Sequence, residues 1–425
     1  MNIDSINKDS IASSRLDVRQ SARETETYDA LVLDAALRQS LATVRSLGRQ
    51  GLRVAVAEVA NVLDESPYVP AFSSRWCHHA HIMPAFKQDA DQFSTHLKRF
   101  LLSTDIRVLM IASDGTLAVL RQHREELERC TRVALAKEEA LAVAVDKEQT
   151  LAIAERLGIA VPRGVTLSTA DEVGEAIRDI GLPAVVKPVE SWQLGQGVRL
   201  ICHLVTNQEE ARRVVEELTR CSGSVLFQQF LSGRREAVNF LYANGEMYAR
   251  FAQWAKRTQP PLGGTSVYRQ SIALPQDIGE QAERLVREIE LEGYSEVEFR
   301  RDAHGKPYLM EINPRLSASI EIAIRAGVDF PCLLYQWACG ERLQPVEGYR
   351  TGRWMRFLEG DLRATIQSIK QRGRPGIISP LQAIAEFAAA FCVPASYDYV
   401  DWKDPQPLWT AALDYYHRTF RSHEQ

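Results

Sequence analysis

Between Tyr28 and about residue 145, short apolar runs alternate with segments of helical period; beyond that point the alternation gives way to hairpins. Ala30–Leu33, Arg53–Ala57 and Arg107–Ile111 read as buried parallel strands. Ser40–Arg49 carries Leu41, Val44 and Leu47 at helical spacing, and Gly51 closes it. Strands that alternate with helices need crossover connections, so this stretch predicts a Rossmann-like parallel sheet. Asp146 then opens a helix through Leu157, with Gln149 placed to answer it in a capping box, Gly158 as its stop and Pro162 beyond. Next come a strand at Ala184–Lys187, a glycine-bearing loop at 191–197, a strand at Val198–Leu204, a helix at Glu209–Arg220 and a strand at Val225–Phe230. Two hairpins follow, one turning at Ala243-Asn244-Gly245 and one at Asp302–Gly305. The expected architecture is α/β and α+β, multidomain.

Composition removes several function classes. The net charge of −4 is spread along 425 residues with no clustered basic face, so no nucleic-acid partner is expected. No apolar run is long enough to span a bilayer, so no membrane partner is expected either. The seven cysteines are scattered without a CxxC pair, which suits free thiols in a reducing compartment; the expected location is cytoplasmic. Residues 1–27 are polar and read as a disordered arm.

The second hairpin carries the most chemistry. Counted outward from its turn, Glu298 and Glu311 fall nearly opposite each other, on one face. Facing carboxylates repel unless a proton or cation lies between them. Asn313 points to the same face, and two carboxylates with an amide oxygen suit Mg²⁺, with Mn²⁺ as a substitute. Taken alone, the hairpin is equally compatible with a solvated face bearing two incidental glutamates.

The surrounding order of motifs resembles the ATP-grasp superfamily. Glu311-Ile312-Asn313-Pro314-Arg315 with Glu298 upstream is similar to its metal and phosphate signature. Lys187 followed by Gly195 and Gly197 is similar to its phosphate lysine and flap, and Lys147 to the lysine before its small lobe. Gln228-Gln229-Phe230-Leu231, then Glu236, resembles the hinge that holds adenine and ribose. The resemblance runs from about residue 146 to 340. It implies ATP and Mg²⁺ as cofactors, small-molecule carboxylate and amine substrates, an acyl-phosphate intermediate, and Arg315 and Lys187 in catalytic positions. It further implies a pre-ATP-grasp domain at 28–145, an ATP-grasp domain at 146–345 with its small lobe at about 165–230, and an extension at 346–425. A homodimer is compatible with it. Ser40–Gly48 and the extension look like the carbamoyl-phosphate-synthase-like carboxylate–amine ligases.

Lysines, Mg²⁺ and glycine amides are what a triphosphate needs before a carboxylate can approach it. Lys187 ends a strand and can project into a cleft; read without the motif it is an exposed strand-end lysine, and Lys147 a solvated first-turn lysine. Lys256–Ser266 reads either as a plain surface loop or as one that hinges over phosphate, with Arg257 reaching the phosphates as a catalytic residue and Arg269 a substrate carboxylate. Three positions depart from the family: Gln228 replaces a frequent glutamate, Arg300 falls on the adenine floor, and Trp192 is bulky for a flap. Cys77-His78-His79-Ala80-His81 has ligand-type residues, but neighbours on a strand point to opposite sides, so an edge role is expected. Asp114-Gly115 reads as a turn at the carboxyl end of the first sheet, or as part of a substrate pocket there. Glu58 ends a strand as an NAD-ribose acid does, yet no GxGxxG turn precedes it. An NAD(P)-dependent oxidoreductase and a non-catalytic ATP-binding regulator are the alternative functions.

Overall fold

The computed structural model describes residues 26–86, 89–189 and 202–421. The first sheet is five-stranded and parallel: β1 (Thr27–Val32), β2 (Val54–Val59), β3 (Cys77–Met83), β4 (Asp105–Met110) and β5 (Arg132–Val133), in the order β3-β2-β1-β4-β5. This is the doubly wound order, with the crevice at the carboxyl ends of β1 and β4. The predicted strands and the helix at Arg38–Arg49 are present, shifted by a few residues. The expected arm, apart from Glu26 and Thr27, lies outside the described residues; Thr27 already belongs to β1.

Asp146 caps the helix Lys147–Arg156, accepting from the backbone amides of Glu148 and Gln149. Gln149 returns the bond to the Asp146 side chain at 2.9 Å instead of its backbone. A small four-stranded sheet follows: β6 (Gly164–Leu167), β7 (Ala184–Pro188), β8 (His203–Val205) and β9 (Val225–Gln229), ordered β6-β9-β7-β8. Its own apolar core, built around Val186, Val215 and Phe227, is separate from the main one. The third sheet has seven strands. They are β10 (Arg235–Ala243), β11 (Glu246–Gln259), β12 (Thr265–Ile272), β13 (Gly293–Arg301), β14 (Pro307–Asn313), β15 (Trp354–Arg356) and β16 (Ala395–Tyr397), ordered β14-β13-β10-β11-β12-β15-β16. Leu31, Leu141, Phe240 and Val297 belong to one core, which fuses the first and third sheets and leaves the small sheet as a distinct lobe. The cleft between that lobe and the large sheet follows from this division.

Two expectations need correction. Lys256–Gln259 and Thr265–Ser266 are strand, so the supposed hinge loop is the tip of the β11–β12 hairpin. The large sheet also does not stop at residue 345, because β15 and β16 come from the expected extension and continue it past β12.

That C-terminal segment is fastened by charge. Arg38, Arg45 and Arg49 lie on one side of the first helix and take Asp398, Asp404 and Asp401 respectively. Arg45 is fully buried, and Asp404 also accepts from Ser74 and the Arg75 amide at 2.8 Å each. Removing one partner of a buried pair leaves an uncompensated charge, so Asp404→Ala should lower unfolding stability by about 3–5 kcal/mol, read by urea melts. At the carboxyl end of β2, Glu58 accepts from the amides of Ala36 (2.7 Å) and Val59 (2.8 Å), which occupies the group that a ribose would need. Burial, helped by neighbouring Asp34 and opposed by these amides and Arg418, pushes its carboxyl up to about 7. The native state therefore holds a proton that the unfolded chain releases near the ordinary glutamate value. This contribution is present below that value and is lost as pH rises through 7; Glu58→Gln should flatten the decline of stability between pH 5 and 8.

Candidate active site

The register of β13 and β14 sets Glu298 opposite Glu311 and Glu296 opposite Asn313. A bulge after Glu298 adjusts the ladder toward the turn and keeps this pairing on one face. Glu296 and Glu298 are buried, and Glu311 is half-buried. Asn313 Nδ2 donates to Glu298 Oε1 at 3.3 Å. Burial pushes the Glu298 carboxyl up to about 7, with Glu311 and Glu296 adding to the rise and Arg235 opposing it. Desolvation raises the Glu311 carboxyl too, but Lys147, Lys187 and Arg235 outweigh that and hold it below the usual range. One face of the hairpin thus carries a negative site that Lys147, Lys187 and Arg235 surround.

Lys187 and Lys147 are both buried at this site. Burial pushes the Lys187 amine below the usual lysine range, the Lys147 charge adds to this, and Cys202, Glu311 and Glu298 pull it back. Lys147 Nζ donates to the Val189 carbonyl at 3.4 Å, bridging from its helix to the end of β7. A cavity of about 60 Å³ is lined by Lys147, Thr150, Glu311 and Asn313 on one side and Asp114 on the other. Asp114 opens the helix Asp114–Gln122, capped by Ser113, and holds Arg315 through two hydrogen bonds of 2.5 and 2.9 Å. Arg315 also donates to Asn313 Oδ1 at 3.3 Å. The first sheet thus contributes a carboxylate to the cleft, in keeping with the pocket reading of Asp114-Gly115.

Glu298, Glu311, Asn313, Lys147, Lys187 and Arg315 are brought together. Gly195, Gly197 and Trp192 lie outside the described residues. In the hinge segment, Gln228 and Leu231 are buried, and the Gln228 side-chain nitrogen has no hydrogen-bond partner. The Gln229 amide bonds Arg163 O at 2.8 Å. Glu236 stands opposite Phe299, on the other face from Glu298 by the alternation of β10. There it pairs with Arg301 at 2.7 Å and Arg234 at 3.3 Å, so the ribose role expected of it has two competing arginines. Arg300 donates to Leu262 O at 2.6 Å and lies 5.8 Å from the Phe230 ring, turned toward the hairpin tip.

Arg257 is not free to serve phosphate. Its guanidinium grips Asp361 at 2.5 and 2.7 Å and lies over the Tyr268 ring. Arg269 is fully buried against Asp398 at 2.5 Å, which occupies the group expected to take a substrate carboxylate. Both aspartates come from beyond residue 345. The histidine-rich β3 is an edge strand, as expected, with alternating exposure; His78 accepts from the Val54 amide and His81 meets His96 at 2.9 Å.

Two site residues escaped sequence reasoning. Arg235, at the start of β10, places Nε 2.9 Å from Glu298 Oε2. Glu296 accepts from Asn239 (3.0 Å) and Gln253 (3.2 Å) on the neighbouring strands. The two-residue spacing of Glu296 and Glu298 was a usable signal for the second; Arg235 needed the β10–β13 register, which no local pattern supplies. Among the described residues, no group of three or more His, Cys, Asp or Glu is arranged to hold a metal by itself. The hairpin set of two carboxylates and an amide fits an ion that draws the rest of its shell from phosphate and water.

Residues 222–356 match a family described as ATP-grasp in the biosynthetic pathway with Ter operon. A D-alanine–D-alanine ligase of Desulfotalea psychrophila is 30% identical over 180 residues, 38% of this chain and 54% of that protein. The carbamoyl phosphate synthase large chain of Vibrio parahaemolyticus is 26% identical over 196 residues, 44% of this chain and 18% of that protein. The chain thus spans about half of the first relative and less than a fifth of the second. A biotin carboxylase from Campylobacter jejuni, solved as a β,γ-ATP complex, superposes with a TM-score of 0.61 at 15% identity, over 77% of this chain and 74% of that one. Among the described residues, no helix is long and apolar enough to cross a membrane. Two sheets flank a cleft with a carboxylate-bearing hairpin at its floor, and that hairpin lies within residues 222–356, the part of the chain that matches the ATP-grasp family model.

Proposed function

We propose that this chain is an ATP-dependent ligase that joins a carboxylate to an amine through an acyl phosphate, in the manner of the carbamoyl-phosphate-synthase-like carboxylate–amine ligases. One observation carries the reading: buried Glu298 faces half-buried Glu311 across the hairpin, beside two buried lysines. Such a site binds an anion and a cation together, which is what a magnesium nucleotide is. Glu298, Glu311 and Asn313 would hold the metal, which when bound offsets the charge of the phosphate oxygens. Lys187 and Lys147 would meet the phosphates from the opposite side, and Gln228 to Leu231 would receive the adenine, where Gln228 has a side-chain donor to spare.

The chain's own groups then do positional and electrostatic work. Lysines in a water-poor cleft neutralise the γ-phosphoryl group so that a substrate carboxylate can approach it. Arg315, a planar fork of donors, steadies the transferring group once it leaves Asp114. An amine then displaces phosphate from the acyl carbon. No side chain serves as a covalent nucleophile in this scheme.

ADP release screened over pooled acids and amines tests the reading. Release that depends on an acid, with a hydroxamate formed when hydroxylamine replaces the amine, is expected. Nucleotide binding without release in any pool contradicts it and favours a regulator. Glu311→Gln should abolish turnover while leaving the urea midpoint within error, since one buried oxygen is exchanged for an amide of equal size. Lys187→Met should weaken ADP binding roughly 10- to 100-fold by calorimetry, the worth of one charge-assisted hydrogen bond.

A further inference from the structure

The described residues include thirteen exposed large hydrophobic side chains, and ten of them lie between Leu358 and Phe420. Seven of them sit on three helices outside the sheet edge, Leu358–Lys370, Pro380–Ala389 and Gln406–Tyr416, and Phe391, Trp402 and Phe420 flank these helices. The first packs against the second, and its Arg363 lies 5.5 Å from the Tyr415 ring of the third, so the helices form one layer. On the third helix Trp409 (68% exposed), Leu413 and Tyr416 fall at i, i+4 and i+7, with Phe420 in the following turn. On the second, Leu381 (82% exposed) and Ile384 fall at i and i+3, with Phe391 just beyond the helix end. Trp402, 86% exposed, precedes the third helix. Such spacing is that of a helix awaiting another helix.

We propose that a second copy of this chain docks on this layer, forming a two-fold dimer through the Gln406–Tyr416 helix. With aromatic side chains of about 150–250 Å² each, the ten residues expose on the order of 1,000 Å² of apolar surface. A soluble monomer rarely shows a patch above about 300–600 Å², whereas a stable pair needs about 800 Å² from each partner. The positions flanking the seam are Thr410, Ala412, His417 and Thr419, none of them a carboxylate, lysine or arginine. Along the seam of the Gln406–Tyr416 helix, a second copy therefore meets uncharged flanks across a two-fold axis. Residues 1–25 are a poor cover for the patch, since they carry five scattered aliphatic side chains and no aromatic ring.

Light scattering on the full chain at micromolar concentration should give twice the chain mass. Trp409→Glu with Leu413→Glu should raise the dissociation constant roughly thirty-fold or more, the effect of losing interface anchors. Leu381→Glu, on the neighbouring helix, should weaken the dimer independently. These side chains face solvent within one copy, so far-ultraviolet circular dichroism and ADP binding should stay unchanged. Leu102→Glu, exposed on a distant helix, should leave the dimer intact. A monomeric wild type, a dimer that survives the Trp409 and Leu413 changes, or dissociation by Leu102→Glu would overturn the proposal.

Discussion

Two carboxylates pressed together across β13 and β14 are the constraint around which the rest is arranged. Burial above all, and then repulsion from Glu311 and Glu296, push the Glu298 carboxyl up to about 7 against the pull of Arg235. The fold answers with cations from three directions. Lys147 comes from the helix after the first sheet, Lys187 from the small lobe, and Arg235 from the adjacent strand β10. Such a concentration of unlike charge is costly to assemble for stability alone, since buried ion pairs seldom repay their desolvation. It is economical for a cleft whose occupant brings both a triphosphate and a divalent ion.

Much of this was legible in the sequence because it depends on local rules. The period-two pattern, together with the Asp302–Gly305 turn, placed Glu298 against Glu311, even though a bulge lies between that pair and the turn. The Asp146 cap, the parallel strands and the edge position of the histidine strand likewise follow from short-range chemistry. What failed was long-range pairing. Arg257 and Arg269 read as groups for phosphate and for a substrate carboxylate because a basic pair, a Pro pair and a Gly pair within Lys256–Ser266 suggest a hinging loop. Their partners, Asp361 and Asp398, lie 104 and 129 residues later. Glu236 fell on the opposite face for a related reason: its strand is clear, but which face meets the cleft is decided by β13.

The residues after 345 change character in the same light. They complete the large sheet with β15 and β16, supply aspartates to arginines of two other elements, and end in a layer of helices whose outer side is apolar. Arg38, Arg45 and Arg49 tie this segment to the first helix, and Arg269 ties it to β12. If the chain closes over a nucleotide as proposed, the separate core of the small lobe makes that lobe the part to move, against a body in which the first sheet, large sheet and C-terminal segment are fastened together.

The most direct measurement is a crystal structure with ADP and Mn²⁺, using the anomalous signal of manganese to locate the ion. An ion about 2.1 Å from oxygens of Glu298, Glu311 and Asn313, with Arg235 drawn off Glu298 and Lys187 on the phosphates, is the predicted outcome. Nucleotide bound elsewhere, or an ion that touches neither glutamate while Arg235 keeps its pair, would contradict the account.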